Sequence, residues 1–208
     1  MEQDGPERSA DAAVLLWWLP VGAGGRLVRH TSGWWEFVQA ALAGRDRQRL
    51  FHAALELVAD GERYVVEMAP AWALPQEADR GVVAVGPVGC RPLGRSRLFR
   101  YEIRSWRGGT LPDREWAVGG PVVIVSDEAV ARLLLRRIHL VPVLTWGRTV
   151  PHTGDMWNSN SLVSWLLADA GVDATGLTPP ANGRAPGWQA GLAVAIRDKV
   201  RRDDGDGG

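Results

Sequence analysis

A single cysteine, Cys90, in 208 residues excludes an internal disulfide framework and any cysteine-rich zinc site. Its setting between Gly89 and Arg91-Pro92 reads as a strand-to-loop junction, so a structural role is expected for it. An excess of either charge is missing too. The 24 basic residues balance 24 acidic ones, which argues against nucleic acid as a partner, because phosphate binding rests on accumulated Lys and Arg. Long apolar runs are absent: Ala12-Ala13-Val14-Leu15-Leu16-Trp17-Trp18-Leu19 is far too short to span a bilayer, and acids precede it where a leader would carry basic residues. Neither a transmembrane nor a targeting segment is expected, and the chain reads as cytoplasmic. The four His and one Cys do not fall at ligand spacings, so no metal is expected. Gly22-Ala23-Gly24-Gly25-Arg26 lacks the Lys-Ser/Thr ending of a phosphate loop, and no cofactor is expected either. There is no internal repeat and no low-complexity tract.

What is present suits one well-buried domain over residues 11–198, with 46% hydrophobic and 23% charged residues. The polar ends, 1–10 and 199–208, read as disordered tails. Eleven Trp against two Tyr and three Phe point to a core whose aromatic edges are half wet. A strand is expected near 13–19, and a helix near 34–43 that opens with Trp34-Trp35; core packing is its expected role, with lipid contact as the alternative. Residues 51–69 read as a hairpin around Asp60-Gly61, with a loop longer than two residues and of open type. Strands follow near 81–88 and 98–104. A helix enters through Ser126-Asp127-Glu128 and runs to Ile138, and another runs from 159 to 170, closed by Gly171. Strands first and helices flanking them imply an α+β fold, an antiparallel sheet packed by helices. Arg91, Arg95, Arg97, Arg100 and Arg104 read as the polar face of and approach to a strand, with an anionic-ligand patch as the other reading.

The segment Trp157-Asn158-Ser159-Asn160-Ser161-Leu162, followed by the apolar run from Val163 to Ala170, carries the functional reading. It puts Ser159 at the start of a helix, where unpaired N–H groups and the helix dipole stabilise developing negative charge. The same residues also make an ordinary helix start, since Asn and Ser are preferred caps. His52 opens the first strand of the hairpin, where a lone histidine is more often a packed or solvent-facing residue than a base. Period-two alternation puts Glu56 on its face of the strand, while Glu67 lies on the next strand. His152 lies in the loop just before the motif and is a candidate to line a site. His139 follows a helix end where a cation favours the dipole, and His30 has no recognisable partner.

Asn158-Ser159-Asn160-Ser161-Leu162 resembles the Asn-Cys-Asn-His-Phe of the PPPDE thiol peptidases and the Asn-Cys-Glu-His-Phe of lecithin:retinol acyltransferase relatives, both in the circularly permuted papain-like (NlpC-type) superfamily. A bacterial domain family that looks related carries Asn-Ser-Asn-Thr-Phe there. The resemblance is specific over about a dozen residues and looser from residue 50 to 192. It implies a permuted papain-like domain with Ser159 as nucleophile, His52 as base and Glu67, or its rival Glu56, orienting the His. Helix amides with Asn158 or Asn160 would hold the oxyanion. Ser in place of Cys is a far weaker nucleophile near neutral pH and needs a well-aligned base. The loop from Pro179 to Gly191 would wall a pocket, with Arg184 at hand and Trp188 as lid, or else seal the sheet edge. The implied function is a hydrolase or acyltransferase acting on peptide, amide or ester bonds of a small-molecule, peptide or lipid substrate. The alternative is an inactive relative serving as a binding or structural module.

Overall fold

The computed structural model describes residues 13–21, 49–72, 81–111 and 114–205. The expected 34–43 helix, His30, the Gly22–Arg26 stretch, Pro112-Asp113 and the tail 1–10 lie outside the described residues.

Among the described residues six strands form one sheet: β1 (Val14–Pro20), β2 (Phe51–Ala59), β3 (Glu62–Pro70), β4 (Val82–Pro87), β5 (Arg100–Arg107) and β6 (Val122–Val125). Their order is β4-β5-β3-β2-β1-β6, and every neighbouring pair is antiparallel. Among the described residues three helices, α1 (Glu128–Arg137), α2 (Ser159–Asp169) and α3 (Trp188–Gly205), complete an α+β architecture. None of the described helices is long and apolar enough to cross a membrane.

The sheet has two different faces because its strands alternate. Val14, Leu16 and Trp18 of β1, with Phe51, Ala53, Leu55 and Leu57 of β2, pack with the apolar residues of α2 and α3 into the main core. Trp17, Leu19, Ala54 and Val65 point the other way into a smaller cluster with Leu111. Since both faces of β1 are covered, its continuous apolar run needs no polar alternation. The second face also buries charge. Glu56, Glu67, Glu102 and Arg104 are all less than a tenth exposed.

The hairpin turn differs from expectation. Ala59 pairs with Glu62, so the loop is only Asp60-Gly61, with φ of 55° and 73°. Two positive φ values make it the primed turn whose twist matches the strands, and Asp-Gly is a favoured pair for it. Asp60 also anchors α1: its carboxylate accepts from Arg132 Nε at 2.8 Å, and its amide donates to Glu128.

Sequence patterning missed two elements. The edge strand β6 is four residues long, and the Gly119-Gly120-Pro121 punctuation before it reads as loop. Helix α3 is the larger miss: Trp188 starts a helix that continues to Gly205, so the expected tail at 199–208 is corrected to helix over 199–205. Tertiary contacts stabilise this polar end, with Arg202 paired to the buried Asp169 of α2 and Asp198 accepting from Trp165 Nε1 at 3.2 Å.

Helices α2 and α3 approach closely at Gly191. A Cβ there would stand 2.0 Å from Ser164 Oγ and 2.2 Å from the Ser161 carbonyl. An exposed helical Gly→Ala change normally stabilises by about 0.5–1 kcal/mol. Gly191→Ala is expected to do the reverse, losing about 1–3 kcal/mol through overpacking. Urea denaturation checks this, and a midpoint at or above wild type would contradict the close helix contact.

Candidate functional site

The ladder between β2 and β3 runs only from Leu55/Val66 to Ala59/Glu62. Before it, β3 continues on β5 alone, through Met68, Ala69 and Pro70, and the start of β2 is left without that neighbour. Two other groups take its place. Phe51 N donates to Arg184 O at 2.8 Å, and Arg184 N donates to Arg49 O at 2.8 Å. One step further along, the Asn160 side chain acts as a surrogate peptide group: Ala53 N donates to its Oδ1 at 2.7 Å, and its Nδ2 donates to Phe51 O at 2.9 Å. An amide side chain suits this position because it carries its donor and its acceptor on two separate atoms, spaced like those of a peptide group. The helix start is thereby attached to the residues on either side of His52.

The cap organises the rest. Asn158 has extended backbone angles and its side chain accepts from Asn160 N and Ser161 N, while its own backbone N–H donates to Ser161 Oγ at 3.0 Å. This reciprocal pattern is the capping box with Ser in the third position. The Pro179–Gly191 segment is held against it: Asn158 Nδ2 and Asn160 Nδ2 each donate to Pro186 O at 2.8 Å, and both carboxylate oxygens of Asp155 accept from Gly187 N. Gly187 has φ of 94°, and a Cβ there would stand 2.1 Å from Asn158 Oδ1, so only glycine fits.

Within this frame Ser159 Oγ lies 2.6 Å from His52 Nδ1, across 107 positions of sequence. Ser159 is buried at 6% exposure. The hydroxyl donates to Nδ1 in the tautomer that carries its proton on Nε2. Burial holds the His52 pKa down to about 4, from an ordinary 6.5. The imidazole is therefore neutral at pH 7 and free to accept a proton. One helix amide also stays open. The Asn160 and Ser161 amides bond to Asn158, whereas among the described residues no acceptor takes the Ser159 N–H.

The other candidates sit elsewhere. Glu67 pairs with Arg104 at 3.2 Å and is not hydrogen-bonded to His52. Arg104 in turn binds Glu102 at 2.7 Å, and Glu67 and Arg104 are direct register partners on β3 and β5. Glu56 bonds Arg63 at 3.1 Å and faces Arg114 at 3.6 Å. Among the described residues no carboxylate meets the far ring nitrogen of His52, so the expected acid of a triad is not in place. Both amides expected at an oxyanion are structural: the Asn160 donors and its acceptor are all used within the fold, and Asn158 spends its oxygen on the cap. His152 is exposed on a turn with φ of 66° and takes no part in the site's hydrogen bonds. Trp188 is not a lid. It is 5% exposed, packs against Trp18 with ring centroids 5.2 Å apart and planes tilted by 47°, and donates from Nε1 to Ala174 O. Arg184 contributes its backbone to the β2 start. Asp155 and Ser161 are the contributors that sequence reasoning passed over. The Asn158/Ser161 spacing of a capping box was there to be read, but no local signal pairs Asp155 with Gly187.

Two outcomes test this geometry. Asn160→Ala leaves Phe51 O and Ala53 N unpaired among buried residues and is expected to lose on the order of 2–4 kcal/mol of stability, read by urea denaturation; a loss below 1 kcal/mol would show the amide to be dispensable. For His52, the unfolded chain binds a proton near pH 6.5 and the folded chain only near pH 4. Its contribution to stability is therefore neutral above about 6.5, falls as pH drops toward 4 and levels off below. An NMR titration of the ring should show a midpoint near 4, and a midpoint at 6.5 would contradict a buried imidazole.

No family model matches the chain, and no curated protein or solved structure does.

Proposed function

We propose that this protein is an acyl-transferring enzyme of the permuted papain-like type, a hydrolase or acyltransferase with Ser159 as nucleophile and His52 as base. The observation that carries the reading is the 2.6 Å contact between Ser159 Oγ and His52 Nδ1 at the first turn of α2. Ser159 Oγ attacks a carbonyl carbon while its proton passes to Nδ1. The tetrahedral oxyanion forms beside the open Ser159 amide at the positive end of the helix, which stabilises it. His52 then delivers the proton to the leaving nitrogen or oxygen as the carbon–heteroatom bond breaks. The acyl group on Ser159 is released to water or to an acceptor by the same steps in reverse. The bonds concerned are peptide, amide or ester. A cytoplasmic setting goes with this reading, supported by the lack of cysteines for a disulfide framework.

A second reading, an inactive relative acting as a binding module, has one specific support. With no carboxylate of the described residues on its far nitrogen and a pKa near 4, His52 is a weak base for a serine hydroxyl.

A fluorophosphonate probe separates the two. Under the enzyme reading Ser159 is labelled, Ser159→Ala and His52→Ala each reduce labelling by about 100-fold or more, and the double variant is no worse than either single one, as for residues acting as a unit. The acid limb of labelling should lie near pH 4, set by His52. Under the binding reading wild type is not labelled. Ser159→Cys gives an independent check: its thiol should react with iodoacetamide faster than Cys90 and lose that advantage in His52→Ala.

A further inference from the structure

The segment from Val88 to Arg100 contains four arginines and no acidic residue, in a chain whose net charge is zero. It folds as two short 3₁₀ turns, Arg91–Arg95 and Arg97–Phe99, between β4 and β5. Hydrogen bonds join it to two neighbours. Arg97 Nη2 donates to Ala71 O at 3.1 Å and Ala71 N to Arg100 O at 2.9 Å, which brings up Trp72; Arg148 Nε donates to Gly89 O at 2.7 Å, adding a fifth arginine. Within the segment, Arg100 donates to the carbonyls of Gly94 and Arg95. All of these acceptors are neutral carbonyls, and among the described residues no carboxylate pairs with Arg91, Arg95, Arg97, Arg100 or Arg148. The bonds orient the Arg97, Arg100 and Arg148 guanidinium groups, and no carboxylate of the described residues compensates the charge of the five.

Apolar side chains stand exposed among these charges: Leu98 at 68%, Trp72 at 48%, Leu93 at 44% and Phe99 at 41%. Four exposed large apolar side chains on one arginine-rich segment and the turn bonded to it are more than single scattered hydrophobics, and exposed apolar surface of that kind marks a contact site. We propose that this surface docks on an anionic lipid bilayer, with the four apolar side chains entering the headgroup–acyl boundary and the arginines at phosphate depth. Charge complementarity selects the anionic surface, and Trp, Phe and Leu beside Arg is the composition that partitions into that boundary. The aliphatic Leu93 and Leu98 decide against single-stranded nucleic acid, which is bound through bases stacked on aromatic rings. The proposal is independent of Ser159 chemistry.

The test is sedimentation of the full chain with phosphatidylcholine vesicles, with and without phosphatidylserine, at low and high salt. Wild type is expected to sediment with the phosphatidylserine vesicles only, and less at high salt. Each of Arg91→Gln and Arg95→Gln should weaken binding about fivefold, from roughly 1 kcal/mol per arginine near the surface. Leu98→Ser, which leaves charge unchanged, should weaken it about tenfold or more. Thermal unfolding of each variant is compared with wild type, and 68% exposure of Leu98 predicts no change in folding. Absence of sedimentation, or equal sedimentation with both vesicle types, overturns the proposal. So does binding to single-stranded RNA or to an acidic peptide that weakens with Arg91→Gln but not with Leu98→Ser, which would make the patch a polyanion site.

Discussion

The Asn160 side-chain amide is the interaction on which the candidate site depends. An antiparallel sheet leaves a row of unpaired N–H and C=O groups wherever two strands part, and buried groups of that kind must find partners. β2 and β3 part beyond Leu55/Val66, and Asn160 supplies the missing donor and acceptor at Phe51 and Ala53. A helix N-terminus is thus hydrogen-bonded into a gap in the sheet. Ser159 precedes Asn160 and His52 lies between Phe51 and Ala53, so the Ser159–His52 contact follows from the same bonds.

The segment after α2 completes this arrangement. Asp155 holds Gly187, Pro186 O receives both Asn158 and Asn160, and Arg184 pairs with the start of β2. Its proline and glycine content is explained by what it must do: pass close to a capped helix end, turn at Gly187 and start α3 with a buried Trp188. The charged residues of the opposite face form a separate assembly. Glu67 and Glu102 converge on the fully buried Arg104, and breaking such a pair is costly because it leaves an uncompensated charge. That pairing commits Glu67 to Arg104 and leaves His52 governed mainly by its desolvation.

The parts of the fold legible in sequence were those set by local pattern. The apolar run of β1, the hairpin at Asp60-Gly61, the alternation of β5 and the Asp127 and Asn158 helix starts all express backbone preferences of neighbouring residues. β6 was not legible, since four residues after a Gly-Gly-Pro turn carry no usable period. The end of α3 was not either: Arg201-Arg202-Asp203-Asp204 reads as a solvated tail until Asp169 is known to wait for Arg202 on the neighbouring helix. Of the site, the serine at a helix start and the histidine on an early strand were legible as positions. The roles given to Glu67, Asn158, Asn160 and Trp188 depended on which way each side chain points and what it meets there.

The sequence by itself determined the α+β character, an antiparallel sheet with flanking helices, and the placing of Ser159 in the first turn of a capped helix, because periodicity and capping act within a few residues. Tertiary structure alone decided that β2 and β3 separate, that Asn160 fills the opening, that Glu67 goes to Arg104 and that Ser159 meets His52. These outcomes balance buried hydrogen bonds and charges between segments some 40 to 110 positions apart, and no local pattern encodes that balance.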